Sequence, residues 1–174
     1  MQRSQVRELK NYLAVLKAIG AGNHALGEIG KHAFLPSTAV NAYLSTLQEL
    51  RLVERRLPAT VRPGKRGKSR AGRYHLSDPY FRFYFYFLAP FQDNPLINTD
   101  QIIERIQQNL RAFVGLTAFE ELCRQWVIVE GRAGNLPFVP SVVGSHWSRR
   151  VQVDVVAVDW NNKKILLGEC KWGL

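Results

Sequence analysis

The order in which hydrophobic periodicities follow one another restricts this chain more than any single residue does. Val6, Leu9, Leu13, Leu16 and Ile19 recur three and four residues apart, the spacing that lines one face of an α-helix, and Gly20 and Gly22 close the segment. A second short helix is predicted from Ala25 to about Phe34. Ser37 is placed as the N-cap of a third, with Val40, Tyr43, Leu44, Leu47 and Leu50 as its buried stripe. The period then changes: Leu52–Leu57 reads as a short strand, Val61–Ala71 as a basic loop with glycines, and Gly72–Leu76 as a returning strand.

Three helices, a strand, a loop and a strand form the sequence of elements in a winged helix-turn-helix, here assigned to residues 1–78. The outer face of the third helix carries Thr38, Asn41, Ala42, Ser45, Thr46 and Gln48, small or hydrogen-bonding residues suited to a major groove. Charge supports the same reading. Residues 1–90 hold 15 basic and 5 acidic side chains, a balance of +10, whereas the remainder holds 9 of each. Such asymmetry points to one half that seeks a polyanion and another with a different task. The expected nucleic-acid contacts are Thr38, Asn41 and Ser45 on the helix, with Arg55, Arg56, Arg62, Lys65, Arg66, Lys68, Arg70 and Arg73 along the strands and loop. A winged helix that makes only protein contacts, its charge merely solvated, is the alternative.

Gly64-Lys65-Arg66-Gly67-Lys68-Ser69 imitates a nucleotide-binding loop, but the motif requires glycine where Arg62 stands, and the preceding strand and following long helix are missing. No nucleotide is expected in this chain. Asp78-Pro79 reads as N-cap and first helical residue of a segment in which seven of residues 80–87 are aromatic. Rings all around a helix imply burial between modules rather than stacking on single-stranded bases. This aromatic helical connector is assigned to 79–115. Ala89-Pro90 and Asn94-Pro95 end its first helix, and Thr99-Asp100 opens a second through Ile102, Ile103, Ile106, Leu110 and Phe113.

The neutral half, 116–174, begins with a helix carrying Phe119, Glu120, Glu121, Leu122, Cys123, Trp126 and Val127. Three strands are predicted after it, at 138–143, 150–158 and 163–172. Strict alternation sets Val151, Val153 and Val155 on one face and Gln152 and Asp154 on the other. A turn at Asn161-Asn162 would pair residues whose numbers total 323, so Asp154 meets Glu169 and Gln152 meets Lys171. Two carboxylates beside a lysine form a credible magnesium site, with the lysine placed to orient an attacking water. Each residue also has an ordinary reading: Thr117 and Glu120 fit a capping box, and Asp154 and Glu169 could pair with Arg149, Arg150 or Lys171 at the surface. His146 and Trp147 precede the second strand, where they could touch substrate.

Asp154, followed by Glu169-Cys170-Lys171 at the end of an apolar strand, with Glu120 on the preceding helix, resembles the PD-(D/E)XK nuclease-like superfamily. More narrowly, residues 73–83, Phe119-Glu120-Glu121-Leu122-Cys123, Val153-Asp154-Val155-Val156-Ala157 and Gly168-Glu169-Cys170-Lys171-Trp172 resemble the C-terminal region of archaeal-type ATPases. The resemblance implies an α+β chain: a winged helix-turn-helix followed by an incomplete PD-(D/E)XK-like α/β domain with a mixed sheet. It implies Glu120, Asp154 and Glu169 as ligands of Mg2+ or Mn2+, Lys171 as the catalytic lysine, and an ATPase domain as a partner. Gln152 stands where that family often has a second acid. The sequence ends just past the last strand, so an open sheet edge able to pair with another copy is expected.

Two readings follow. In one, a DNA-binding winged helix, recognising double-stranded DNA, is joined to a divalent-metal nuclease module that hydrolyses phosphodiesters. In the other, the chain is a non-catalytic DNA-binding or regulatory module that keeps the nuclease-like fold as scaffold. With apolar runs too short for a bilayer, no secretory leader, and two cysteines without a CxxC pair, a cytoplasmic protein is expected.

Overall fold

The computed structural model describes residues 2–92, 94, 96 and 98–173, with side chains from Gln5 onward; Pro95 of the predicted helix stop lies outside them. The fold is α+β. Its contacts divide it into two units, one of residues 1–56 with 72–106, the other of residues 57–71 with 107–174. The boundary therefore runs through the wing, and not only through the aromatic connector as the 1–78, 79–115 and 116–174 assignment expects.

In the first unit, α1 (Gln2–Gly20), α2 (Leu26–Ala33) and α3 (Ser37–Glu49) precede the antiparallel pair β1 (Val53–Arg56) and β2 (Arg73–Leu76). Pro36, not Ser37, is the N-cap of α3, because its fixed extended backbone already supplies the entry geometry. Val15, Ala18 and Ile19 of α1 meet Ile29 of α2, Val40, Leu44 and Leu47 of α3, and Val53 and Leu76 of the strands in one core. Each of the Val, Leu and Ile side chains among them, fully buried, stabilises the unit by about 1.5–3 kcal/mol. Val6 and Leu9, in the first half of the α1 stripe, remain exposed, as does Leu50 at the end of the α3 stripe.

Asp78 accepts the backbone N–H of Tyr80 at 2.7 Å and starts α4 (Pro79–Phe83), as its N-cap position predicts. The helix continues through a π turn at Tyr84–Leu88. Phe85 enters the core, and Phe81 and Tyr84 pack against it. Gly20 faces the Phe85 Cβ so closely that a side chain there would collide with it.

In the second unit, α5 (Thr99–Val114), whose last turns belong here, runs through a π turn at Gly115–Phe119 into α6 (Glu120–Ala133). Because the chain is already helical, Thr117 caps nothing; its hydroxyl donates to the Phe113 carbonyl at 2.6 Å. Then come β3 (Val142–Trp147), β4 (Gln152–Asp159) and β5 (Lys164–Gly168), in the order β3-β4-β5. Among the described residues this sheet is antiparallel throughout, correcting the expected mixed sheet, because its strands are joined by loops of four residues, 148–151 and 160–163, far too short for a parallel crossover. β3 starts later than predicted because Pro137 and Pro140 have no N–H for a ladder, and Pro140 instead packs against Gly131 of α6.

The hairpin register is the one predicted: Val155 faces Gly168, Ala157 faces Leu166, and Asp159 faces Lys164. Its loop is longer by one residue on each side, which leaves the register unchanged. Asp159 organises it, accepting the N–H groups of Asn161 and Asn162 at 3.0 and 3.2 Å and the Asn162 amide at 2.7 Å. These donors, the Asn162 amide first, hold its carboxyl below the ordinary value of 3.8.

Strict alternation fails in β4. Gly144 pairs with Val156 but His146 with Val153, so Asp154 and Val155 together oppose Ser145 in a bulge. Val153 thereby joins Val156 and Val158 on one side of the sheet, while Val155 and Ala157 pack against Val127 of α6 on the other.

In the first unit, His24 and His75 stack with centroids 4.2 Å apart, and the Tyr74 carbonyl lies 2.8 Å from His24 Nδ1. Burial first, then His24 and neighbouring arginines, pushes His75 down to about 2; burial also lowers His24. Between that value and the ordinary 6.5, the unfolded chain holds a proton that the folded His75 does not. The stabilising preference for the neutral ring is therefore complete above pH 6.5 and is lost progressively on acidification. Urea titrations between pH 7 and 5 should show stability falling with pH, and His75→Asn should flatten that fall by up to about 1.4 kcal/mol per pH unit. An unchanged slope would show that the stacked pair does not control it.

Candidate functional site

Burying Val40, Leu44 and Leu47 turns the opposite face of α3 outward, and Thr38, Asn41, Ala42 and Ser45 are exposed there. The predicted cations on the β1 and β2 strands of the first unit have structural partners. Arg56 pairs with Glu54, its Nε donating at 2.8 Å, and the Arg55 guanidinium lies against Gly72. Arg73 is half-buried. Arg82 secures α4 to β2, donating to the Leu76 and Ser77 carbonyls at 2.7 and 3.1 Å.

The remaining predicted cations lie on the 57–71 loop, in the second unit. Both ends of this loop are tied to β3. Ala59 donates its N–H to the Ser145 carbonyl at 2.9 Å, the Thr60 hydroxyl lies 2.8 Å from His146 Nδ1, and the Trp147 indole donates to the Ala71 carbonyl at 2.9 Å. His146 and Trp147, which in sequence read as residues able to touch substrate, hold the loop. Ala59 is buried beside Val156 and Val158. Between these ties Arg62, Lys65, Lys68 and Arg70 are exposed, and Arg66 is half-buried with its Nη1 enclosed and without a hydrogen-bond partner. Such a nitrogen costs stability until an acceptor meets it.

The predicted catalytic residues divide into two pairs. Glu120 on α6 and Asp154 in the bulge both meet Arg124, which lies one helical turn beyond Glu120 and is 12% exposed. Its Nη1 donates to Glu120 Oε2 at 3.3 Å and to the Asp154 carbonyl at 3.1 Å, while Nη2 lies 3.8 Å from Glu121. Asp154 Oδ2 accepts the Cys170 N–H at 2.9 Å. Burial, the Cys123 thiol and then the Asp154 and Glu120 carboxylates push the Cys170 thiol up to about 12.

Glu169 and Lys171 lie past the end of β5, 75% and 81% exposed, and pair with each other at 3.7 Å. The ladder ends at Val155 and Gly168, so the predicted pairs of Asp154 with Glu169 and Gln152 with Lys171 do not form, and the Asp154 side chain instead takes the Cys170 N–H.

A magnesium ion requires carboxylate oxygens that converge and are available. Here Glu120 is engaged by Arg124, one Asp154 oxygen by Cys170, and Glu169 faces solvent. Among the described residues no group of three or more His, Cys, Asp or Glu side chains is arranged to hold a metal ion. As placed, these residues do not fit the site that the superfamily resemblance implies. Arg124 escaped the sequence reading, although its spacing of four from Glu120 was a visible signal for an ion pair.

Arg124→Ala strips charge from two carboxylates and a hydrogen bond from the β4 backbone, and should lower stability by about 2 kcal/mol. Glu121→Gln, at the more exposed end, should cost less than about 1 kcal/mol. Urea unfolding checks both, and equal effects would remove Arg124 from the centre of this cluster.

No described helix is long and apolar enough to cross a membrane. An uncharacterized protein of Methanocaldococcus jannaschii is 31% identical over 174 residues, which cover 99% of this chain and 38% of the relative. The chain thus spans about two fifths of that relative's length. No solved structure matches it. Residues 84–174, just over half of the chain and including the whole carboxylate cluster, match the family described as archaea bacterial proteins of unknown function, and the chain belongs to that family.

Proposed function

We propose that the chain is a nucleic-acid-binding module, with double-stranded DNA as its ligand, and that its nuclease-like unit serves as a non-catalytic scaffold. The observation that carries this reading is the loop of exposed Arg62, Lys65, Lys68 and Arg70, tied to β3 at both ends. Clustered cations supply sequence-independent affinity for phosphates. On the first unit, the exposed Thr38, Asn41 and Ser45 offer donors and acceptors for base edges. The resemblance to the C-terminal region of archaeal-type ATPases supports a regulatory role beside an ATPase domain in the cytoplasm.

Phosphodiester cleavage is the second reading, favoured by the bulge that brings Asp154 to the same arginine as Glu120. It requires Glu169 and Lys171 to turn inward and Arg124 to release its carboxylates. Gln152 offers no acid in compensation.

Fluorescence anisotropy with a labelled duplex of about 20 base pairs tests the first reading, since log affinity should fall linearly with log salt. Lys65→Ala and Lys68→Ala should each weaken binding and reduce the slope by about one, whereas Asn41→Ala should reduce affinity with little change in slope. Asp154→Ala should leave binding intact. Absence of salt-sensitive binding would overturn the reading, and manganese-dependent cleavage lost in Asp154→Ala would establish the second.

A further inference from the structure

The turn between α2 and α3 holds a residue that the fold alone does not favour. Phe34 closes α2 with φ 55° and ψ 39°, in the left-handed region. Its N–H donates to the Lys31 carbonyl at 3.3 Å, and the Leu35 N–H donates to the Gly30 carbonyl at 2.9 Å. This pair of bonds ends many helices, and the residue at its centre is usually glycine, because a Cβ in that conformation crowds the following carbonyl oxygen. Phe34 bears that cost, and its ring recovers none of it by packing, being 94% exposed. Strained residues of this kind cluster at ligand-binding positions, where the strain persists for the sake of what it presents.

We infer that Phe34 is a thymine-reading residue, its ring packing on the C5-methyl group of a base in the major groove; this rests on the proposed binding of double-stranded DNA and names a base that is recognised. Its surroundings suit a polyanion. Lys31 and His32 beside it are exposed, and no acidic side chain occurs between Glu28 and Glu49. A protein-binding patch would centre on several apolar groups, yet from Leu26 to Gln48 no other large hydrophobic side chain is among the exposed ones. In helix-turn-helix docking the N-terminal residues of the second helix reach base edges, and Phe34 directly precedes the entry to α3, ahead of the exposed Thr38 and Asn41. A phenyl ring can neither donate to nor accept from a base edge. The apolar group that the major groove offers it is the thymine methyl.

Fluorescence anisotropy with an A·T-rich duplex of about 20 base pairs, and with the same duplex carrying deoxyuridine in place of thymidine, isolates the methyl groups. The chain should bind the thymine duplex about fourfold more tightly, the worth of one buried methyl group. Phe34→Ala and Phe34→Gly should bind both duplexes alike, whereas Asn41→Ala should keep the preference at lower affinity. Phe34→Gly should also raise the melting temperature of the free chain by about 4 °C, since glycine relieves the left-handed backbone and no packing is lost. Salt-sensitive binding without a thymine preference would overturn the inference and leave the DNA-binding reading standing. So would a preference that persists in Phe34→Ala, or a lower melting temperature for Phe34→Gly, which would make the ring part of the fold. Binding to neither duplex would overturn both.

Discussion

One surplus residue in β4 governs the second unit. Because Asp154 and Val155 together oppose Ser145, the strand changes face between Val153 and Val156. Val153, Val156 and Val158 are thereby directed to the side that receives Ala59, and Val155 and Ala157 to the side that receives α6. An unbulged strand would carry Val153 and Val155 on the same side. Asp154, at the bend, offers its carbonyl to Arg124 and its carboxylate to the chain beyond β5, so one backbone irregularity coordinates both layers around the sheet.

Features governed by local chemistry were legible in the sequence. Three helices and a strand pair follow from periodicity, Asp78 caps as its type and position imply, and the β4–β5 register follows from the centre of the loop even though that loop proved longer. Features that depend on tertiary arrangement were not. The start of β3 was misplaced because an apolar run looks like a strand until its prolines are counted as missing donors. The bulge leaves no mark in a row of valines. The capping role considered for Glu120 presumed a helix start at Thr117, where a π turn instead carries the helix through without a break.

The candidate site shows the same division. Sequence parity placed Asp154, Glu169, Gln152 and Lys171 on one face, but parity holds only while a ladder persists. Beyond Gly168 it ends, and Glu169 and Lys171 are free to satisfy one another in water. Arg124, by contrast, is positioned by the turn of α6, and its guanidinium pairs with Glu120, one of the three acids the resemblance implies as metal ligands, and with Glu121. The three candidate acids thus have three different partners: Arg124 for Glu120, the Cys170 N–H for Asp154, and Lys171 for Glu169.

The ties that hold the 57–71 loop to β3 also have a kinetic consequence. A free loop of this composition would surrender backbone freedom on meeting a polyanion, at about 1–2 kcal/mol for each residue fixed. With Ala59, Thr60 and Ala71 already bonded to β3, much of that ordering is complete before any encounter. The cations between them form a field that is fixed in place, and under the proposed function that field would draw an approaching phosphate backbone over roughly a Debye length and orient it before contact. Recognition on this surface would then be fast to form and governed by ionic strength, with its lifetime set by the groups that subsequently settle against the bound strand.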